Sequence, residues 1–562
     1  MNCQIIKQDV GSLARALIVL FCAGVAGGQV LGRDVNLCYP GETIELELKV
    51  RSTQDCDLVV SDWHDKTVLR RAYDPKSQGK VTLTAEDVGA FGAFQVAVVE
   101  RGSTNAPLAK TWFARLSSRT VEPVEWIGTH AHVVRRKCYY DGRFLEMLSA
   151  AGVGYVRVDY TWHGIETEKG QYRDAVATDR WIDRFGERGI GAVVLLSLWQ
   201  VPECYADKKD TSGFPAFCAY AARHLKGRKC IFEIYNEPQN TAYRRLFAEE
   251  EKATKPWDCW LYPLMETAKK SAAAIHEADP EARVYVTGED VEPLLVKMIE
   301  SGVATEKEGI SFHPYGHKNP YPERIYWFRD NGAEIRALAK AHGGATRFCI
   351  TETGIPTLLE EGHRHHSVAG DFVCTTVEQQ AAYITRLFLL SRLSGVDLMC
   401  QYNWMNEGTD IHYTENNFGQ LFNDCTPKPS FAATAQLARM LGKAQVVGEK
   451  SPDPSQWRLA EFRRDEKNGS RRVFAVWSIE RRLEVDFPQD FEDAAFVDLM
   501  GNKIGAPKTA DGKLVVETFP YYVVCKRRPM GVAVFASDAA WYANGLYTNT
   551  VNVADASWFG LE

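Results

Sequence analysis

The stretch Phe232-Glu233-Ile234-Tyr235-Asn236-Glu237-Pro238 decides how this chain is read. Apolar and aromatic residues alternate with polar ones, the period-two pattern of a short buried strand. An Asn-Glu pair then stops against a proline. Pro238 cannot continue a ladder and turns the residue before it away from helix. Glu237 is therefore expected at the very end of the strand, presenting its carboxylate. A second carboxylate closes a similar run much later, in Arg347-Phe348-Cys349-Ile350-Thr351-Glu352-Thr353-Gly354.

Outward from these two stretches, strand alternates with helix from Val121 onward. Strands are expected at Trp126–Thr129, Tyr155–Asp159, Ala192–Leu196, Ile231–Tyr235, Arg283–Thr287, Gly309–Phe312, Phe348–Thr351 and Asp397–Tyr402. The helix after the first carries Phe144, Leu148 and Ala151 on one face and stops at Gly152. The next uses Trp181, Ile182 and Phe185 and stops near Gly189. A long helix spans Val377–Leu393 ahead of Gly395, and a last one Phe431–Leu441. Eight strands, each followed by helix-compatible sequence, imply an α/β fold, a closed parallel (β/α)8 TIM barrel over residues 121–442. Such barrels carry their chemistry at strand C-terminal ends. His130, Arg157, Trp199, Glu237, His313, Glu352 and Trp404 all fall there.

The barrel is expected to be flanked by two β-sandwich domains. Over residues 33–118, Thr43–Val50 alternates strictly, and further strands are separated by Asp74-Pro75, Gly89, Gly92 and Arg101-Gly102-Ser103. Over 443–528 the runs Arg458–Phe462, Val473–Trp477, Leu483–Phe487 and Tyr521–Cys525 read the same way. The tail over 529–562 has no clear period, and the start of a truncated module is one reading of it. Residues 1–28 read as a cleavable export signal. Lys7 and Arg15 precede the apolar run Ala16–Ala23, and small residues follow. A secreted or periplasmic location follows. Lipoprotein anchoring at Cys22 is disfavoured by the bulky Phe21, and no other segment approaches a membrane span.

At 562 residues the chain holds more than one domain, with 45% hydrophobic and 25% charged residues, as in globular proteins. A net charge of −7 is mild, and no basic run is interleaved with aromatics, so nucleic acid is not an expected partner. Fourteen tryptophans and 23 tyrosines supply faces that stack on sugar rings, although core packing accounts for most such residues. Twelve cysteines follow the signal. Cys38 with Cys56, and Cys204 with Cys218, are close enough in sequence to pair in an exported protein. Cys349 and Cys400 sit in apolar runs as small buried hydrophobes, and no CxxC pair points to zinc.

Two glutamates on separate strand ends suit glycosidic-bond cleavage with retention. One carboxyl protonates the leaving oxygen, and the other, roughly 5 Å away, attacks the anomeric carbon. At that separation like charges interact, and one carboxyl is held protonated. The plain alternative is that each glutamate merely caps the helix after its strand. Finding both at strand ends favours chemistry.

The run ending Asn236-Glu237-Pro238 resembles the acid/base strand of clan GH-A retaining glycoside hydrolases, and Thr351-Glu352-Thr353-Gly354 resembles that clan's nucleophile strand. Trp162, Ile165-Glu166 and Lys169-Gly170-Gln171-Tyr172 resemble the clan's loop after strand two. The likeness covers Val121 to Leu441 and is family 39-like or family 5-like, with Tyr235 where many members carry tryptophan. It implies that Glu237 is the acid/base and Glu352 the nucleophile. Asn236 would hydrogen-bond the sugar 2-hydroxyl, and Arg157 would sit under Glu352 and keep it ionised. In His313-Pro314-Tyr315, Tyr315 would donate to the nucleophile, and Trp404 would form the stacking floor.

Plainer readings stand beside these roles. Arg157 would pair with Glu233 or Asp159, and Trp404 would be core. His130 and His132 line the mouth or serve structural hydrogen bonds. His363, His365 and His366, near Glu360 and Glu361, read as a solvated loop or lid rather than a metal site. The expectation is an exported retaining glycoside hydrolase acting on a poly- or oligosaccharide, without a cofactor. The alternatives are a non-catalytic carbohydrate-binding protein on a degenerate barrel and a metal-dependent barrel hydrolase.

Overall fold

The computed structural model describes residues 29–30 and 35–526, apart from 77–78, 104–105, 120, 135–141, 256, 290–291, 317–318, 358–363, 368–369, 374, 467–468 and 489–490. The expected export signal, the tail over 529–562 and His363 lie outside these residues. His365 and His366 lie in a short strand, Arg364–Ser367, paired antiparallel with Gly370–Val373; their side chains are outside the description.

Eight parallel strands close into a barrel: β1 (Val124–His130), β2 (Val153–Thr161), β3 (Gly191–Ser197), β4 (Cys230–Ile234), β5 (Arg283–Glu289), β6 (Gly309–Phe312), β7 (Arg347–Thr353) and β8 (Leu398–Gln401). They neighbour one another in sequence order, and β8 pairs with β1. Eight helices follow them in turn: α1 (Gly142–Ala151), α2 (Val176–Gly186), α3 (Phe214–His224), α4 (Tyr262–Ala278), α5 (Glu292–Glu300), α6 (Ala333–Ala341), α7 (Val377–Leu393) and α8 (Pro429–Leu441). The turn chemistry is visible at their ends. Thr376 and Gln379 form a capping box that starts α7, and Gly152 follows α1 in a left-handed conformation at φ 73°.

The lower interior of the barrel is apolar, filled by Tyr155, Val193, Ile231, Tyr285, Cys349, Leu398 and Cys400. The two tyrosines need space from neighbouring strands. A Cβ on Gly191 would lie 2.3 Å from the Tyr155 ring, and one on Gly309 2.3 Å from that of Tyr285. Large and small residues therefore alternate around the interior, as close packing requires.

Before the barrel, a five-stranded sheet in the order Leu37–Cys38, Ala109–Arg115, Gly92–Glu100, Cys56–Ser61, Thr67–Tyr73 accompanies a three-stranded one. Ile44, Leu46, Val60, Leu83, Phe94 and Phe113 share the core between them. After the barrel, a six-stranded sheet and a two-stranded one enclose Trp457, Phe474, Phe491, Phe496 and Val523. The later sheets are tied to both neighbours. Asn502 exchanges two hydrogen bonds with the backbone of Phe91, at 2.7 and 3.0 Å. Trp477 Nε1 donates to Glu323 Oε1 at 2.7 Å, and Glu323 also pairs with Arg386 of α7. Cys56, Cys204 and Cys218 carry free thiols, so neither expected disulfide is present. Burial inside the sheet and helix cores is what these cysteines provide instead.

Candidate active site

The two glutamates reach the barrel mouth by different local means. β4 ends at Ile234, three residues earlier than the sequence pattern implies for Glu237. Tyr235 turns into the core, stacked on Phe214 at 5.4 Å, and its hydroxyl donates to the Leu264 carbonyl of α4 at 3.0 Å. Tyr235 and Glu237 both have positive φ, 74° and 40°. The residue before Pro238 is thus left-handed rather than extended, against the ordinary pre-proline preference. Glu237 N donates to Gly288 O at 2.7 Å, and its side chain is fixed by His313 and Asn240, which hold the turn in place.

Glu352 lies within β7. Cys349 faces the barrel interior and Thr351 follows it there by period two, so strict alternation would turn Glu352 outward. The register to β8 slips between Ile350 and Thr353, three residues of β7 against two of β8. This bulge re-aims Glu352 into the mouth. A carboxylate oxygen of Glu237, a ring nitrogen of His313 and a carboxylate oxygen of Glu352 all lie within 4.8 Å of one another.

Beneath this pair runs a buried polar layer. Arg157, fully buried, donates from Nε to Glu233 Oε2 at 2.6 Å, from Nη1 to Glu352 Oε2 at 2.9 Å, and from Nη2 to Asn236 Oδ1 at 2.6 Å. Arg157 thus touches Glu352 and Glu233 at once. Thr351 Oγ1 donates to Glu233 Oε1 at 2.5 Å. His313 Nε2 lies 3.1 Å from Thr351 Oγ1, whose proton is committed to Glu233, so Nε2 donates. His313 Nδ1 lies 2.8 Å from Glu237 Oε1. A continuous chain of hydrogen bonds thus links the two glutamates from below. From above, the Tyr315 hydroxyl donates to Glu352 Oε1 at 2.8 Å.

The electrostatics follow from burial set against these partners. Burial alone would raise the pKa of Glu352, but charged His313, a hydrogen bond from His130 and the Arg157 guanidinium overcome it and hold the carboxyl well below its usual range. Burial would also raise Glu233, and Arg157 and His313 bring it down to about 2. Burial would lower His313, yet Glu352, Glu233 and Glu237 carry it up to about 9, so it is an imidazolium at neutral pH. His130 goes the other way: burial, with His132 beside it, lowers it to about 4, and it is neutral.

The cleft above has a volume of about 1620 Å³. His130, His132, Trp199, Asn236, Glu237 and Glu352 line it, as expected. Trp199 is 41% exposed at the rim. His313 is wholly buried under Glu237 and does not line the cleft. Trp404 is a correction. It is fully buried and packs against Phe431 of α8 at 5.9 Å, so it presents no floor. The inward face of Leu398 and Cys400 continues to Tyr402, which lines the cleft and holds Glu415 Oε2 through its hydroxyl at 3.0 Å. Sequence reasoning passed over Glu407 and Glu415. Both sit in the irregular stretch between β8 and α8, where no period marks a residue; the signal available was a run of acids just past a barrel strand. Lys428 pins that stretch from below, its buried Nζ donating to Thr357, Asn406 and the Asn417 carbonyl at 2.9–3.1 Å.

His130, His132 and Asp159 also converge within 4.8 Å, close enough to share a cation. The Arg157 guanidinium, 3.4 Å from His130 Nδ1, opposes one there.

An eight-stranded βα barrel between two β-sheet regions, with opposed glutamates over a buried arginine, is the class of molecule that the fold and site define. Comparison with family profiles and with curated proteins gives no match. Among solved structures, the chain is similar to a family 39 glycoside hydrolase from the gut symbiont Bacteroides cellulosilyticus WH2, with a TM-score of 0.66 and 16% identity over 89% of this chain and 100% of that one. The two share a fold. A monomeric beta-xylosidase from Caulobacter crescentus CB15 (TM-score 0.45, 15% identity, 74% and 98% covered) and a glucosidase from Croceicoccus marinus (0.44, 16%, 73% and 82%) resemble it more loosely.

Proposed function

We propose that the protein is an exported retaining glycoside hydrolase acting on the O-glycosidic bonds of a poly- or oligosaccharide. One observation carries this reading: carboxylate oxygens from β7 and from the turn after β4 approach within 4.8 Å over a single cleft. That spacing suits direct attack and leaves no room for a water between the carboxyls, as inversion would need. Glu352, kept ionised by His313, His130 and Arg157, attacks the anomeric carbon. Glu237 passes a proton to the leaving oxygen, and the bond to the aglycone breaks. In the second step Glu237 takes a proton from water, which attacks the glycosyl ester and frees Glu352. Asn236 commits its carbonyl to Arg157, which leaves its NH2 for the sugar 2-hydroxyl. The family 39 likeness and the cleft's size agree with this reading.

The test is turnover of an aryl-glycoside panel by wild type and by Glu352→Ala. Glu352→Ala is expected to lose about 10⁵-fold in kcat. Mass spectrometry after a 2-deoxy-2-fluoro glycoside is expected to find the label on Glu352. Equal background in both proteins would leave a carbohydrate-binding protein, and loss of activity on chelation would point to a metal-dependent hydrolase.

A further inference from the structure

Among the described residues, only two tryptophan, tyrosine or phenylalanine side chains are exposed, Trp199 at 41% and Tyr413 at 39%. Both line the cleft. The other described aromatic side chains are buried or half-buried, as packing requires. An aromatic ring left in water forgoes the gain of burial. Two such rings at one cleft mark where a ligand covers them.

Their places on the barrel bracket the two glutamates. Trp199 lies two residues past the end of β3, the neighbour of β4, after which Glu237 turns into the mouth. Tyr413 lies on the segment after β8, the neighbour of β7, which carries Glu352. Glu415 ties that segment to the end of β8, because its Oε2 accepts from the Tyr402 hydroxyl at 3.0 Å. Three strand spacings separate β3 from β8 by way of β2 and β1. At about 4.8 Å each, they put the two rings roughly 14 Å apart along the wall. A six-membered ring of bonds near 1.5 Å has a frame roughly 3 Å across, so one sugar does not reach both. The cleft has the room for more, with a volume of about 1620 Å³. A pocket for one small molecule holds roughly 300–1,000 Å³.

Both platforms stand on fixed backbone. The Trp199 carbonyl accepts from Tyr243 N at 3.0 Å, and Leu198 and Val201 beside it are buried. The Tyr413 carbonyl accepts from Asn416 N at 3.0 Å and from Asn417 Nδ2 at 2.9 Å. Rigid aromatic rings that are already placed lose little freedom when a ligand covers them. A pyranose fits such a ring. Its C–H bonds form an apolar face that lies on the aromatic plane, and its hydroxyls stay at the edge for water and polar side chains.

Resting on the hydrolase reading, we propose that Trp199 and Tyr413 are stacking platforms for two different sugar rings of one chain, so that the cleft takes a chain segment rather than a single sugar on a small aglycone.

The experiment measures kcat/KM for cello-, xylo-, manno- and laminari-oligosaccharides of two to six units. In the series that is cleaved, the expected rise from the shortest to the longest is about 100-fold or more. Trp199→Ala and Tyr413→Ala are each expected to remove about tenfold of that rise. Trp199→Phe and Tyr413→Phe are expected to keep most of it, since an aromatic face remains. A series that is flat in wild type overturns the proposal, and so does a rise that survives both alanine substitutions. Calorimetry of the same oligosaccharides with Glu352→Gln, alone and combined with each alanine substitution, separates this inference from the hydrolase reading. Affinity that grows with length and falls without the platforms, with no turnover by wild type, keeps the platforms and removes the hydrolase. Turnover with affinity indifferent to length keeps the hydrolase and removes the platforms. Binding of none of these chains also removes the platforms.

Discussion

The barrel interior holds two layers of opposite character, and they divide the work. Below, Tyr155, Val193, Ile231, Tyr285, Cys349, Leu398 and Cys400 pack as an apolar plug. Above, Arg157, Glu233, Thr351 and His313 are as deeply buried, yet every one is polar and joined to the next. The lower layer gains from leaving water, and its members are interchangeable as long as volume is kept. The upper layer costs desolvation, recovers it only through complete pairing, and in return fixes where two carboxylates point. The lesson is that stability and positioning are carried by neighbouring layers of the same strands and answer to different mutations.

The sharpest break of this contrast is Arg157→Met. It takes the guanidinium from Glu233 and leaves that buried charge only Thr351 and the nearby His313, so a stability loss of about 3–5 kcal/mol is expected by denaturant titration. It also removes one of the groups that hold Glu352 down, and the acidic limb of kcat/KM is expected to move to higher pH. Stability equal to wild type with an unmoved limb would dissolve the distinction between layers. Ile231→Ala in the lower layer is expected to cost about 2–5 kcal/mol, with the pH profile of the residual folded protein's turnover unchanged. A shifted profile there would show that the plug also tunes the site. The smallest effect sharpens the comparison through pH. His313 has a folded pKa of about 9, raised from 6.5. Its contribution to stability is therefore complete below about pH 6.5 and is lost as pH rises through 9. Melting curves across that window are expected to fall more steeply for wild type than for His313→Asn.

The barrel was legible because its signals are local. Alternating apolar runs at Tyr155–Asp159 and Ala192–Leu196, glycine after the first helix and the long period of Val377–Leu393 each follow from a few neighbouring side chains. The places of Glu237, Glu352 and Arg157 at the barrel mouth were readable because each lies at or near the C-terminal end of a strand whose period the sequence shows. Trp404, a floor only by the family resemblance, fails as one because it lies past the end of β8 at Gln401. Tyr402 is the aromatic that reaches the cleft, while Trp404 is taken up by α8. Glu407, Glu415 and Lys428 were invisible for a different reason: an irregular segment has no period to read.

By itself the sequence determined the strand-and-helix order, the apolar and polar faces, and the two glutamates that end up over one cleft, since these depend on residue type and spacing along the chain. Only the tertiary structure decided the bulge that turns Glu352 inward, the left-handed turn that sets Glu237, and the sharing of one guanidinium among three partners. Each of these depends on which distant segments meet when the barrel closes, and no local pattern encodes that encounter.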